Sequence, residues 1–150
     1  MFVGDEVRAG LSFAEVARRL ADVAAGSVDS ASHGAWGDGL AKVGPAGSVP
    51  GLSKLVRVQR SDVVQHDDIA RLTLRWQATG ALGGLFPVLD ADITLIPDGD
   101  HATLIALQGV YGPPGGVLGA GLDRAVLHRI ATATVRSFLT RLADAVAVPA

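Results

Sequence analysis

The first long apolar pattern in the chain is helical. In "LSFAEVARRLADVAAG", Phe13, Val16, Ala17, Leu20 and Ala24 recur at the three- and four-residue spacing of a single helix face. Ser12 followed by Glu15 has the form of a capping box, in which the serine oxygen accepts an orphan amide and the glutamate reaches back. Gly26 then offers a stop. Ahead of this helix, "FVGDEV" reads as a short strand from Phe2 to Val7. Further on the period changes from helical to two. Lys54 to Arg60 reads as a strand. From Ile69 to Thr79, Leu72, Leu74, Trp76 and Ala78 lie on one face and Arg71, Thr73, Arg75 and Gln77 on the other. "VLDADITLIP" repeats the alternation, with Leu89, Ala91, Ile93 and Leu95 inward and Asp90, Asp92 and Thr94 outward. "PDGD" at 97–100 predicts a tight hairpin turn. The following "HATLIALQGVY" is apolar on both faces, which predicts a strand interior to the sheet. Five strands are clear, joined as a meander.

Two stretches break these patterns. From Ser27 to Ser53, glycine, proline and serine dominate, with His33 and Trp36 among them. This is either a long binding loop or lid, or a short helix and strand that the pattern does not resolve. The second stretch is "YGPPGGVLGAGLDR", Tyr111 to Arg124. A dinucleotide loop needs G-x-G-x-x-G between a strand and a helix, within a strand–helix–strand unit. Gly119 and Gly121 fill the first two positions, but Arg124 occupies the third, where glycine lets the helix pack closely. No GK[ST] follows, and no strand follows the last helix. The segment reads as a hinge in which Pro113 and Pro114 end the strand. A long helix then runs from about Val117 to Val146. Leu127, Ala131, Val135, Phe138, Leu142 and Val146 share one arc, and Arg129, Arg136, Thr140 and Asp144 lie opposite.

Composition narrows the classes of function. The chain has 150 residues, of which 49% are apolar and only 19% charged, against about 25% charged in an average soluble protein. That excess implies a large core, an apolar cavity or a subunit interface. The length suits one domain. Net charge is −2 without a basic stripe, which argues against a nucleic-acid partner. No apolar run approaches the ~18 residues of a membrane span. The start lacks the basic and apolar regions of a secretory signal, so a cytoplasmic location is expected. The preference for Arg over Lys fits a GC-rich bacterial genome. There is no cysteine, hence neither disulfide nor thiolate metal site. No cofactor is expected.

A strand, a capped helix, an antiparallel meander and a long C-terminal helix follow one another in this chain. The residues are "FVGDEVRAGLSFAEVARRL", "RLTLRWQATG", "DADITLIPDGDHATLIALQGVY" and "GLDRAVLHRIATATVRSFLTRLADAV". In this order the chain resembles the START-like (SRPBCC) superfamily, which includes polyketide cyclases and pollen-allergen-like proteins. The resemblance implies an α+β helix-grip fold, a curved antiparallel sheet wrapped around the long C-terminal helix. It also implies seven strands and a second short helix, and an apolar cavity between sheet and helix that holds lipids, polyketides or sterols. Some members are enzymes and others are binders.

Candidate ligand-binding residues follow from that arrangement: Leu74, Trp76, Ile93 and Leu95 on the sheet, and Ala131 and Val135 on the helix. Small residues such as Ala91 and Ala131 either leave a void or let helix and sheet approach closely. Trp36 is either a lid anchor over an apolar ligand or a plug for the core. Tyr111 and Gln108 could present polar groups to the cavity. Arg124 and His128, four residues apart, either orient a carbonyl or anion at the cavity mouth or lie in solvent. Asp90 and Asp92 form a carboxylate pair suited to acid–base work, or ordinary cross-strand partners for Arg71 and Arg75. His66, Asp67 and Asp68 suggest a metal, yet adjacent turn residues diverge, which favours a solvated hairpin tip. No G-x-S-x-G is present. Three functions remain: carriage of an apolar small molecule, a cyclase or aromatase, and a module that docks a protein or forms a homodimer.

Overall fold

The computed structural model describes residues 2–24, 39–43, 54–78, 88–112 and 124–147. They form β1 (Phe2–Ala9), α1 (Phe13–Ala24), β2 (Gly39–Val43), β3 (Lys54–Arg60), β4 (Val64–His66), β5 (Ile69–Ala78), β6 (Val88–Pro97), β7 (Thr103–Gly112) and α2 (Arg124–Ala147). All pairing is antiparallel, in the order β1-β7-β6-β5-β3-β2, with β4 also paired to β5. The fold is α+β, a curved sheet gripping the long helix α2.

Seven strands replace the five clear in the sequence. One of the two additional strands, β2, lies within the Gly-rich stretch of 27–53, whose remaining residues, Trp36 and His33 among them, fall outside the described set. The other, β4, is the first arm of the hairpin whose tip carries His66, Asp67 and Asp68, and is too short to show an alternation. Asp67 turns that hairpin with a φ of 51°, a left-handed conformation that Asp tolerates. Strand β1 continues past Val7 to Ala9, because Arg8 and Ala9 still pair with Leu104 and Thr103. The turn after β6 is wider than the two-residue form expected. Pro97 pairs with Thr103, Asp98 N–H donates to the Ala102 carbonyl at 2.9 Å, and Gly99 takes a φ of 77°. As its two apolar faces predict, β7 lies inside the sheet, between β1 and β6. The hinge at 113–123 lies outside the described residues.

Helix α1 begins as its capping residue dictates. Ser12 O accepts the Val16 amide at 3.0 Å and Ser12 Oγ accepts the Glu15 amide at 3.4 Å. The Glu15 carboxylate does not close the box; it accepts from Arg18 at 2.7 Å and Arg19 at 2.6 Å. A guanidinium within one helical turn outcompetes a neutral amide for that carboxylate. Arg19 also donates to the Val146 carbonyl at 2.9 Å. It thereby places a cation at the C-terminal end of α2, whose own last turn has no basic residue.

The inner face is built in cross-strand rows. Trp76, Leu89 and Tyr111 form the first, and Leu74, Ala91, Gly109 and Val3 the second. Leu72, Ile93, Leu107 and Asp5 make the third, and Ala70, Leu95, Ile105 and Val7 the fourth. Apart from Asp5 and Val7 these residues are all buried. Opposite them, α2 buries Ala131, Val135, Phe138, Leu142 and Val146 and exposes Arg129, Arg136, Thr140 and Asp144, as its sequence predicts; Leu139 is buried as well, and the Leu127 side chain lies outside the described residues. Val16, Ala17 and Leu20 of α1 join the same core.

Gly109 has a steric role in the second row. A Cβ there would lie 2.5 Å from the Asp90 carbonyl oxygen and 2.6 Å from the Ala91 Cβ. Backbone cannot yield as a side chain does, so glycine is what lets β6 and β7 come this close. Gly109→Ala should therefore destabilise the fold by about 1–3 kcal/mol. A lowered urea midpoint with an unchanged far-UV circular dichroism spectrum is the expected result.

Candidate functional site

The sequence candidates separate into an inner set and an outer set. Leu74, Trp76, Ile93 and Leu95 of the sheet and Ala131 and Val135 of α2 all lie in the core between sheet and helix. Tyr111 joins them at the end of β7, 8% exposed. The period-two alternation puts Gln108 on the opposite face of the sheet, beside Gly4, where it is exposed. His128 shares the helical arc of Val135, yet it too is exposed. At this end His128 and Thr132 of α2 line an open groove of about 460 Å³ with Phe2–Glu6 and Gln108. Arg124 opens α2, and its side chain is outside the described residues.

At the Trp76 end the core is aromatic. The Trp76 and Phe138 rings stand edge to face, with centroids 5.2 Å apart and planes at 67°. This geometry aims a positive ring edge at a negative ring face, and it fixes the roll of α2 over the sheet. Tyr111 lies two strands away in the same row as Trp76. Burial pushes its phenol pKa up, so the hydroxyl stays neutral and able to donate. The sequence marks Phe138 only as part of the helix stripe, without indicating its contact with Trp76.

The polar groups of the inner face are few. Thr103 is fully buried, and its hydroxyl donates to the Leu11 carbonyl at 2.8 Å. Asp5 accepts from Arg136 Nε at 2.7 Å and from the Glu6 amide at 2.9 Å. Burial raises the Asp5 pKa, but the Arg136 hydrogen bond, the Glu6 amide and the Arg136 charge together outweigh it and hold the carboxyl below its ordinary value. Among the described side chains the inner face is otherwise apolar, apart from the Tyr111 hydroxyl and the Trp76 indole N–H.

The other clusters are structural. Arg75 pairs with Asp90 at 3.2 Å across β5 and β6. Asp92 accepts from Thr73 at 2.7 Å, the residue directly opposite it, and Arg71 faces Thr94 instead. His66 and Asp67 are exposed at the hairpin tip, their side chains 92% and 89% accessible. Among the described residues no three His, Asp or Glu side chains are grouped as a metal site would require. No described helix is long and apolar enough to cross a membrane.

No family model matches the sequence, and no curated protein matches it. Solved structures do. The chain is similar to the Zhui aromatase/cyclase from a Streptomyces species, at 14% identity and a TM-score of 0.56, over 97% of this chain and 90% of that one. It is also similar to a START superfamily protein from Mycobacterium smegmatis, at 14% identity and a TM-score of 0.52, over 97% of both chains. Norcoclaurine synthase from Thalictrum flavum aligns at 12% identity and a TM-score of 0.50, over 99% of this chain and 87% of that one. The chain has the START-like, helix-grip fold.

Two expectations follow. Phe138→Ala should cost about 3–5 kcal/mol through the cavity it leaves beneath Trp76, read as a lowered urea midpoint with a changed tryptophan emission. For Asp5, a folded pKa below the unfolded value of about 3.9 means that its stabilisation is present above that pH and is lost as pH falls through the folded pKa. The urea-midpoint difference between wild type and Asp5→Asn should therefore be flat near neutrality and shrink below about pH 4.

Proposed function

We propose that this protein binds an apolar small molecule between the inner face of the sheet and α2, at the end marked by Trp76 and Tyr111. The observation that carries the reading is the composition of that face. Leu74, Trp76, Leu89, Ile93 and Leu95 offer a continuous apolar surface, and the polar side chains at its border, Asp5 on the edge strand β1 and Thr103 at the start of β7, are already hydrogen-bonded. Such a surface gains affinity by desolvation, with one or two polar groups to orient the ligand. Tyr111, neutral and able to donate, is suited to a carbonyl or hydroxyl on a lipid- or polyketide-like molecule. Ala131 and Val135 supply the helix side of the site. The helix-grip fold of the neighbours supports the reading at the level of architecture.

A cyclase would need convergent acid–base groups inside. Of the sequence candidates, His128 and Gln108 are exposed, which favours binding over catalysis.

Native mass spectrometry of the purified protein tests this. We expect a stoichiometric apolar adduct, identified after denaturing extraction, whose affinity falls about tenfold in Trp76→Ala, equivalent to ~1.4 kcal/mol. Tyr111→Phe should keep the fold and weaken binding less. A protein that is apo as purified and takes up no apolar probe, such as anilinonaphthalene sulfonate, on titration would overturn the reading.

A further inference from the structure

Among the described residues, the β1 edge of the sheet carries the Asp5 carboxylate at its middle. Strand β1 pairs with β7 through eight consecutive residues, Phe2 to Ala9, without a bulge, and lies outermost in the sheet order. A regular edge of this length is a ready template for another strand, and proteins blunt such edges with charges, bulges or covers. In an antiparallel pair, backbone groups of successive residues point alternately toward and away from the neighbour. The Glu6 amide is taken by Asp5 Oδ1 at 2.9 Å rather than by β7, so Gly4, Glu6 and Arg8 present their N–H and C=O to the open side. The other oxygen, Oδ2, accepts from Arg136 Nε of α2 at 2.7 Å. Asp5 is thus anchored from the helix while it covers a donor at the middle of the edge. Its side chain is 19% exposed, against 71% for Arg136.

We propose that the edge of β1 is a pairing surface for a second copy of this chain, and that the Asp5 carboxylate holds it closed. Charge complementarity selects the second copy as the occupant. An antiparallel two-fold pairing about Val7 sets Glu6 opposite Arg8 of the second copy, and Arg8 opposite its Glu6. Gly4 then faces Gly10 without steric cost. Opposite charges directly across a strand pair favour that register. The hydrogen bonds at its centre use the Glu6 amide, the donor that Asp5 occupies. Arg8 is bound to Asp98 at 2.7 Å, but the two side chains are 65% and 53% exposed, and such a surface pair exchanges readily.

Light scattering across a concentration series, joined to amide hydrogen exchange, tests the proposal. Wild type should keep the mass of one chain. Asp5→Ala should rise to twice that mass, with exchange at Gly4, Glu6 and Arg8 slowed about tenfold or more. Adding Glu6→Lys to Asp5→Ala should restore the single-chain mass by setting like charges across the strand pair. If Asp5→Ala does not fold, Asp5→Leu, which keeps a side chain of similar size but has no acceptor for the Glu6 amide, carries the same expectation. An unchanged mass in the folded variant overturns the proposal. So does a doubled mass with those three amides still exchanging freely, or a wild type already doubled with them protected.

Discussion

The apolar inner face of β5, β6 and β7 is buried together with α1 and α2 in one core, and the rest of the structure is arranged around that burial. Leu72, Leu74, Leu89, Ile93, Leu95, Ile105 and Leu107 are each at most 1% exposed. Each such side chain gains about 1.5–3 kcal/mol on leaving water, so a loss of helix–sheet packing would outweigh any single polar contact in the molecule. Phe138 meets Trp76 and sets the roll of the helix. Once the roll is fixed, Arg136 reaches Asp5 at the sheet edge and Val146 reaches Arg19 at the far end. These polar contacts register the helix along and across the sheet.

The same packing explains how the two ends of the interface differ. Ala91 and Gly109 keep the second row thin, and the close approach of β6 and β7 at Gly109 belongs to this region. The fourth row is aliphatic and shares its core with Val16 and Leu20 of α1. The first row carries the large rings. Trp76 and Tyr111 combine an apolar body with one polar atom each, which suits a surface that holds a greasy molecule and orients it. This contrast between an aliphatic end and an aromatic end is why we propose the aromatic end as the ligand site.

Much of this was legible in the chain because period and face are local properties. The alternation in Ile69–Ala78 and Val88–Pro97 is enough to sort Leu72, Leu74, Trp76, Ile93 and Leu95 from Arg71, Arg75 and Asp90. The helical wheel likewise separates Val135 and Phe138 from Arg136. What was not legible depends on partners distant in sequence. Asp5 reads as one more polar residue in a short strand until Arg136, 131 positions away, is brought to it. Gln108 follows from strand phase, yet a strand apolar on both faces hides that phase. His128 belongs by angle to the buried arc, yet it is exposed in an open groove beside β1, a neighbour that no wheel contains. Strands β2 and β4 escaped because five and three residues are too few to establish a period.

We propose that a ligand sits at the inner, aromatic end of the helix–sheet interface. Chemical-shift mapping of the isotope-labelled protein, titrated with the molecule extracted from it or with an apolar probe, tests that location most directly. The account predicts saturable shifts at the Trp76 indole N–H, the Tyr111 ring and the Ala131 methyl, with Phe2, Gln108 and His128 unmoved. Shifts confined to Phe2, Gln108 and His128 would put the ligand on the outer edge of β1 and contradict it.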